Sequence, residues 1–192
     1  MLTTLPNILT LSRILVVPAL VAGFYLDRPL ANWVTAALFT AAALTDYLDG
    51  YLARSWDQVT RFGRFLDPVA DKVMVAAAIF MMVAHGQIAG WLVLPGLIIL
   101  CREILVSGLR EFLAGINVGM PVSRLAKWKT VLQMIAIGML LWGEAGAPFI
   151  PTILIGTWAL WIAATLTLVT GYDYLRAGLK HMTGDGPDGG AG

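Results

Sequence analysis

Charged side chains are scarce in this sequence. Lys, Arg, Asp and Glu make up 13% of its 192 residues, whereas a soluble domain carries about 25%. This scarcity excludes a soluble globular enzyme and a disordered chain, because both need more charge. So few charged residues also exclude a nucleic-acid binder with a basic face, whereas the formal net charge of +1 says little about partners. We therefore expect no nucleic-acid partner.

Cysteine is nearly absent as well. The single Cys101 excludes an intrachain disulfide framework and a cysteine-based zinc cluster. Because it lies within an apolar run, we expect it to be a buried small side chain. The N-terminal residues lack the basic stretch and the small-residue cleavage site of a signal peptide, so we expect them to be retained.

Hydrophobic residues are abundant, at 58% of the chain. They form six long stretches, at 8–26, 31–53, 69–85, 91–113, 125–142 and 149–173. A helix of about 20 mostly apolar residues can cross a bilayer. The pattern predicts an all-α integral membrane protein with six transmembrane helices in one compact bundle. Residues 1–182 are expected to form a single domain, followed by a disordered Gly-, Asp- and Pro-rich tail at 183–192.

The basic residues are distributed unevenly about these stretches. If the N-terminus is cytoplasmic, the loops and helix ends on that side hold Arg54, Arg61, Arg64, Arg110, Arg124, Lys127, Lys129, Arg176 and Lys180. The opposite loops hold Arg28 alone. Cytoplasmic loops of membrane proteins are enriched in Lys and Arg. The distribution therefore predicts that both termini are cytoplasmic.

Acidic residues are concentrated between positions 46 and 71, which contain five of the twelve in the chain. Asp46, Asp49, Gly50 and Ala53 are spaced so that they share one face of a helix. Small residues on that face allow a ligand or a neighbouring helix to approach the backbone closely. Carboxylates within a membrane are costly and usually serve a function, so this face is a candidate site.

Two further carboxylates repeat the spacing. Asp67 precedes Pro68, which favours a helix N-cap, and Asp71 follows one turn later. We therefore expect four carboxylates to converge from two helix ends. They would repel each other unless cations lay between them, and oxygen ligands favour Mg²⁺ or Mn²⁺. Two such ions suit displacement at phosphorus, and Arg54 can hold a phosphate group.

The alternative is that these acids are ordinary interfacial charges. In that case they would form salt bridges with Arg54, Arg61 and Arg64. The regularity of the carboxylate spacing favours the metal site.

The sequence Asp46-x2-Asp49-Gly50-x2-Ala53-Arg54-x8-Gly63-x3-Asp67-x3-Asp71 resembles the signature of the CDP-alcohol phosphotransferase family at every defined position. The resemblance implies a six-helix membrane fold, usually a homodimer. It also implies a reaction that moves a phosphatidyl or similar group from a CDP-linked donor to an alcohol and releases CMP. By resemblance, Asp46, Asp49, Asp67 and Asp71 hold two metal ions. Asp67 and Asp71 are then the catalytic residues, with Asp71 as general base.

The resemblance also identifies candidate residues for the CDP-linked donor. Asn7 and Thr10, in the element Pro6-Asn7-x2-Thr10-x2-Arg13, would line the nucleotide site. Alternatively, one of the two merely caps the first helix. Thr60 would contact the donor phosphates by family position. The full donor set is Asn7, Thr10, Asp49, Gly50, Arg54 and Thr60.

The acceptor is indicated by cations in the fourth and fifth stretches. These are Arg102, Arg110, Arg124, Lys127 and Lys129. An uncharged alcohol would not need so many, whereas a phosphorylated acceptor would. Within the family, the pattern resembles members that join CDP-diacylglycerol to glycerol 3-phosphate. The alternative is that these side chains extend to anionic lipid headgroups, and we expect membrane lipids as further partners.

Other functions remain open at this stage. The same family includes members with other acceptors, such as inositol phosphate, or phosphatidylglycerol in a cardiolipin synthase. A cation-coupled transporter would have charges near the centre of several spans or an inverted repeat, and neither is found. A structural scaffold would have no use for four regularly spaced aspartates. The expected location is a bacterial inner membrane, with the site on the cytoplasmic side.

Overall fold

The computed structural model describes the backbone of residues 5–55, 61–115, 118 and 124–182. It describes side chains at 11–46, 66, 69–115, 118, 125–176, 178 and 179. Within this part the chain is helical. The helices are α1 (Leu5–Gly23), α2 (Leu30–Ser55), α3 (Arg61–Ala84), α4 (Val93–Gly115), α5 (Arg124–Gly146) and α6 (Thr152–Met182). One 3₁₀ turn, Gly90–Leu92, precedes α4. The prediction of an all-α protein with six helices is confirmed.

Two helices, α3 and α6, extend well beyond the predicted stretches. Helix α3 begins at Arg61, upstream of Asp67, so the prediction that Asp67 is an N-cap is wrong. A proline removes one N–H donor from a helix without having to end it, and the turn upstream of Pro68 is helical here. Helix α6 continues to Met182, because its last turns pack on α4. There the absence of a side chain at Gly178 leaves room for Leu109. The predicted tail at 183–192 lies outside the described residues.

Three helices are long and apolar enough to cross a membrane, judged by length and composition over the described residues. They span Gly90–Gly115, Leu125–Gly146 and Thr152–Arg176. The described part of α1 contributes a shorter apolar helix, Leu11–Gly23. Large apolar side chains point away from the bundle, among them Leu15, Phe80 and Ile104 at 72%, 71% and 72% exposure. Such an apolar surface is unfavourable in water and favourable in contact with lipid. The chain is therefore a multi-pass membrane protein.

The core lies between helices that pack against one another along their length. Helix α6 packs along α5 and α4, α1 packs on α2 and α3, and α2 packs on α5. Leu20, Met82, Ile137 and Leu160 are fully buried at these contacts. Cys101 is exposed, so the expectation that it is buried is wrong. The apolar run that precedes Cys101 in α4 does not show which face of the helix packs inward.

The turns between paired helices meet at one end of the bundle. There Arg28 Nη2 donates to the His85 carbonyl oxygen at 3.2 Å, which joins the α1–α2 and α3–α4 turns. Asn32 Nδ2 donates to the Leu141 carbonyl oxygen at 2.9 Å, which joins α2 to α5. The charged residues of the candidate site lie at the opposite end. We refer to these as the turn end and the site end.

Gly143 fixes the shape of α5 at the turn end. Its backbone has φ 51° and ψ −136°, a combination that only glycine adopts without strain. A Cβ atom there would lie 2.9 Å from Asn32 Nδ2. The Gly143 carbonyl also accepts a hydrogen bond from Thr152 Oγ1 at 2.6 Å. Gly143 therefore allows α5 to bend while Asn32 and Thr152 hold it from two sides.

Replacing Gly143 with Ala should destabilise the protein by about 1–3 kcal/mol, the cost of a strained backbone conformation, together with displacement of Asn32. Gly138→Ala is the matched control, because Gly138 lies in the same helix and a Cβ there meets nothing within 4 Å. That control should be neutral or slightly stabilising. Thermal unfolding in one detergent would measure both. Equal stability of the two variants would contradict the role assigned to Gly143.

Candidate active site

Helices α1 and α2 are joined at the site end by an ion pair. Arg13 Nη1 donates to Asp46 Oδ1, and only 1% of the Arg13 side chain is exposed. A buried guanidinium without a partner would be very costly, so the pair fixes α1 against α2. Sequence reasoning gave Arg13 no role beyond its place in a pattern. The available signal was an arginine in the middle of an otherwise apolar helix.

Asp71, on α3, lies near this pair. It interacts electrostatically with Asp46, Arg13, Lys72 and Lys129. Its Oδ1 atom is buried and has no hydrogen-bond partner among the described residues. Buried carboxylate oxygens are normally satisfied, so this atom is available to a metal ion or to a substrate hydroxyl. The structure thus brings together the first and last aspartates of the signature.

The two middle aspartates of the signature lie on the same helices. Asp49 is three residues after Asp46 in α2, and Asp67 is four residues before Asp71 in α3. Helical spacing puts each pair on one face. Their side chains lie outside the described residues, and the side chains that are described contain no group of three possible metal ligands. The four-carboxylate metal site therefore stays a prediction.

The predicted donor residues are placed only in part. Asn7 and Thr10 lie within α1, which begins at Leu5, so neither is its N-cap. Gly50 and Arg54 lie in the last turns of α2. The side chains of Asn7, Thr10 and Arg54 lie outside the described part of the chain, as does Thr60 altogether. Their contacts with a donor remain predictions.

A cavity of about 370 Å³ is lined by Lys72, the residue that follows Asp71 in α3. Its lining includes three cationic side chains, Lys72, Arg102 and Arg110, and two acidic ones, Glu103 and Glu111; the other residues are Val106, Ser107 and Ala114. The excess of cations suits an anionic ligand. We call this space the cationic cavity.

Sequence reasoning missed Lys72 and Ser107. The Lys72 ammonium group donates to Ser107 Oγ, which joins α3 to α4 across the cavity. Lys72 follows Asp71 directly, so its position was visible in the sequence. That Ser107 faces it depends on how α3 and α4 pack. The pair places a cation next to the residue predicted to be the general base.

Helix α6 holds Arg102 in place. Arg102 Nη2 donates to Thr170 Oγ1 at 3.2 Å, and its guanidinium carbon lies 5.5 Å from the centroid of the Tyr174 ring. A Cβ at Gly171 would lie 3.0 Å from Arg102 Cγ, so the glycine leaves room for the side chain. A hydrogen bond, a cation–π contact and a gap together orient this arginine.

The predicted acceptor cations separate into distinct groups. Arg102 and Arg110 line the cationic cavity. Lys129 is buried, at 3% exposure, and donates to Glu103 Oε1. It also interacts electrostatically with Asp71, and it does not line the cavity itself. Lys127 is exposed and does not line the cavity. The side chain of Arg124 lies outside the described residues.

A second, apolar groove of about 680 Å³ runs between α2 and α5. Asp46 and Thr130 lie at its site end, and Trp33 and Trp142 lie at its turn end. Between them the lining is mostly aliphatic and small. The groove thus leads from the bilayer-facing part of the bundle to a signature aspartate. We call it the α2–α5 groove.

Comparison with known proteins agrees with this geometry. A profile of the family described as CDP-alcohol phosphatidyltransferase matches residues 3–169. A protein of Rickettsia bellii is 48% identical over 178 residues, covering 93% of this chain and 97% of the relative. Relatives from Cereibacter sphaeroides and Haemophilus influenzae are 40% and 45% identical. The first covers 93% of this chain and 97% of its own length, the second 90% and 91%.

All three relatives are named CDP-diacylglycerol–glycerol-3-phosphate 3-phosphatidyltransferase. The profile covers most of the chain, and the relatives match nearly their whole length. The transporter and scaffold alternatives find no support among these matches. With the signature on α2 and α3 and the six-helix bundle in place, the chain belongs to the CDP-alcohol phosphatidyltransferase family.

Proposed function

We propose that this protein transfers the phosphatidyl group of CDP-diacylglycerol to sn-glycerol 3-phosphate. The products would be phosphatidylglycerophosphate and CMP. The observation that carries the proposal is the position of Asp71: its unpartnered carboxylate oxygen belongs to the residue next to Lys72, which lines a cavity with excess positive charge. The names of the relatives support this choice of donor and acceptor.

The chemistry at Asp71 follows from its surroundings. Its carboxylate takes the proton of the acceptor's primary hydroxyl as that oxygen bonds to the β-phosphorus of the donor. The bond from that phosphorus to the oxygen bridging toward the α-phosphate breaks, and CMP leaves. No covalent enzyme intermediate is needed. Arg13 holds Asp46 and so keeps α1 and α2 fixed while the donor changes.

The cationic cavity supports a phosphorylated acceptor. Arg102 and Arg110 can hold a phosphate dianion by paired hydrogen bonds, and Lys72 adds a third charge beside Asp71. Glu103 forms an ion pair with Lys129, which reduces the repulsion between Lys129 and the cations that line the cavity. A volume of about 370 Å³ is near the lower limit for ligand pockets. It favours a small acceptor over a second phospholipid such as phosphatidylglycerol.

The carboxylates fit two divalent cations, Mg²⁺ or Mn²⁺. Asp46, Asp49, Asp67 and Asp71 would hold them, and the unpartnered oxygen of Asp71 is the kind of ligand that such ions need. Bound there, the ions would neutralise the donor's pyrophosphate and the charge that develops on CMP.

We also propose that the active site and both termini face the cytoplasm and that the protein is a homodimer in a bacterial inner membrane. Basic residues at the site end support that orientation.

Asp71→Asn should reduce turnover by about 10²–10⁴-fold, because the amide cannot accept the acceptor's proton. CMP release from CDP-diacylglycerol and glycerol 3-phosphate would measure it in purified protein. Asp27→Asn is the control, since Asp27 is exposed at the turn end. A folded Asp71→Asn protein that works at the parental rate would rule out the proposed base.

Arg102→Gln and Arg110→Gln should each raise the KM for glycerol 3-phosphate by roughly tenfold to a hundredfold, the value of one charge-assisted hydrogen bond. The KM for CDP-diacylglycerol should change much less. Arg176→Gln removes an exposed arginine near the same end of the bundle and should leave both values unchanged. If only the donor's KM rises in the two cavity variants, the cavity serves the donor instead.

Removal of divalent cations with a chelator should abolish turnover. Mg²⁺ or Mn²⁺ should restore it, whereas Na⁺ and K⁺ should not, since carboxylate clusters select hard divalent ions. Asp49→Asn should raise the metal concentration needed for half-maximal rate. Turnover that is unaffected by the chelator would contradict the metal site and leave the family assignment intact.

A further inference from the structure

We propose that the Trp33–Trp142 pair closes the turn end of the α2–α5 groove and limits the length of the donor acyl chain that the groove accepts. This proposal rests on the proposed function, because it needs a lipid-borne donor. It adds a substrate property that the reaction itself does not determine. It also gives a role to the α2–α5 groove.

The walls of the groove come from two antiparallel helices. On α2 the lining runs from Trp33 to Asp46, and on α5 it runs from Trp142 back to Thr130. Thirteen helical steps separate Trp33 from Asp46, a length of about 20 Å. The hydrocarbon of one leaflet is about 15 Å thick, half of the bilayer core. The groove can therefore hold most of one extended acyl chain from a lipid whose headgroup lies at the site end.

Small side chains keep the middle of the groove open. Ala36, Ala37 and Ala43 line the α2 wall, and Gly138 lies in the α5 wall. A Cβ at Gly138 would meet nothing within 4 Å, so the space beside it is empty of protein. An unbranched chain fits such a surface, because it makes many weak contacts along its length.

The turn end is closed by aromatic rings. Trp33 and Trp142 meet edge to face with centroids 5.2 Å apart, which bridges α2 and α5. The centroid of the Phe149 ring lies 6.3 Å from the centroid of each tryptophan ring. The hydrogen bond from Asn32 to the Leu141 carbonyl holds the backbone next to both tryptophans. The pair is therefore a fixed stop.

The donor is the occupant that the groove's position favours. Its site end reaches Asp46, which pairs with Arg13 and interacts with Asp71. A lipid whose headgroup reacts beside Asp71 has its tail at this opening, whereas a bulk lipid gains nothing from that location.

Moving a chain from bilayer to groove gains little hydrophobic free energy, because both surroundings are apolar. Selectivity must then come from contact and steric fit. A chain that ends before the tryptophans keeps all its contacts, and a longer one has to bend out into the lipid.

The test measures kcat/KM for a series of donors with dilauroyl, dimyristoyl, dipalmitoyl, distearoyl and diarachidoyl chains at equal surface concentration in one detergent. Trp33→Ala opens the turn end and should shift the preference toward longer chains by roughly fivefold, the effect of about ten carbon–carbon contacts. Gly138→Leu fills the middle of the groove and should shift it toward shorter chains by a similar factor. Trp158→Ala, an exposed tryptophan on α6 outside the groove, should leave the preference unchanged.

The two variants move the preference in opposite directions, so a general loss of stability cannot imitate the result. If both remain active with the parental chain-length profile, the groove holds bulk lipid and the proposal is overturned. If the parental protein releases no CMP from any of these donors, the proposed function fails, and this proposal fails with it. A shift in the Trp158→Ala control would also overturn it, because the preference would then depend on the lipid-facing surface.

Discussion

A buried charge in so apolar a bundle needs an oppositely charged or polar partner. The packing of helices at the site end depends on these partners. Arg13 is compensated by Asp46, Lys129 by Glu103, and Arg102 by Thr170 and the Tyr174 ring. Uncompensated charge in a low-dielectric interior would cost several kcal/mol per ion. The pairs therefore fix α1 against α2, and α4 against α5 and α6, before any ligand binds.

Against that background, the uncompensated groups stand out. Asp71 has a buried oxygen without a hydrogen-bond partner among the described residues, and the cationic cavity holds more positive than negative side chains. Asp71 thus offers a buried carboxylate oxygen, and Lys72, the next residue, lines a cavity with an excess of positive charge. A substrate that brings a hydroxyl and a phosphate would satisfy both. The structural ion pairs thus hold the helices in place, and the remaining polar groups are available to a substrate.

The two cavities divide the substrates by their solubility. The cationic cavity is polar and small, which suits a water-borne anion, whereas the α2–α5 groove is apolar and at least as long as the hydrocarbon of one leaflet is thick. Asp46 lies at the site end of the groove, and Lys72, the residue after Asp71, lines the cavity. An enzyme that joins a lipid to a polar molecule needs this arrangement, because neither substrate has to leave its own phase.

The amino-acid sequence was enough to predict the membrane class, the six helices and the two helices that carry the aspartates. These properties follow from local composition and from the 3.6-residue period. It also singled out Arg102 and Arg110, since arginines in apolar helices are conspicuous. It could not separate them from Lys127, because charge alone does not show which way a helix faces. It misplaced the start of α3 at Asp67 because a proline permits either reading.

Which distant residues meet depends on the packing of the six helices. Lys72 reaches Ser107, Gly171 leaves room for Arg102, and Trp33 closes a groove with Trp142. Each of these contacts joins residues from two different helices, and no local pattern encodes them. Their cause is the packing of small residues against large ones between helices, which fixes the rotation of each helix about its axis. The sequence indicated the chemistry, and the packing of the bundle decided where it can take place.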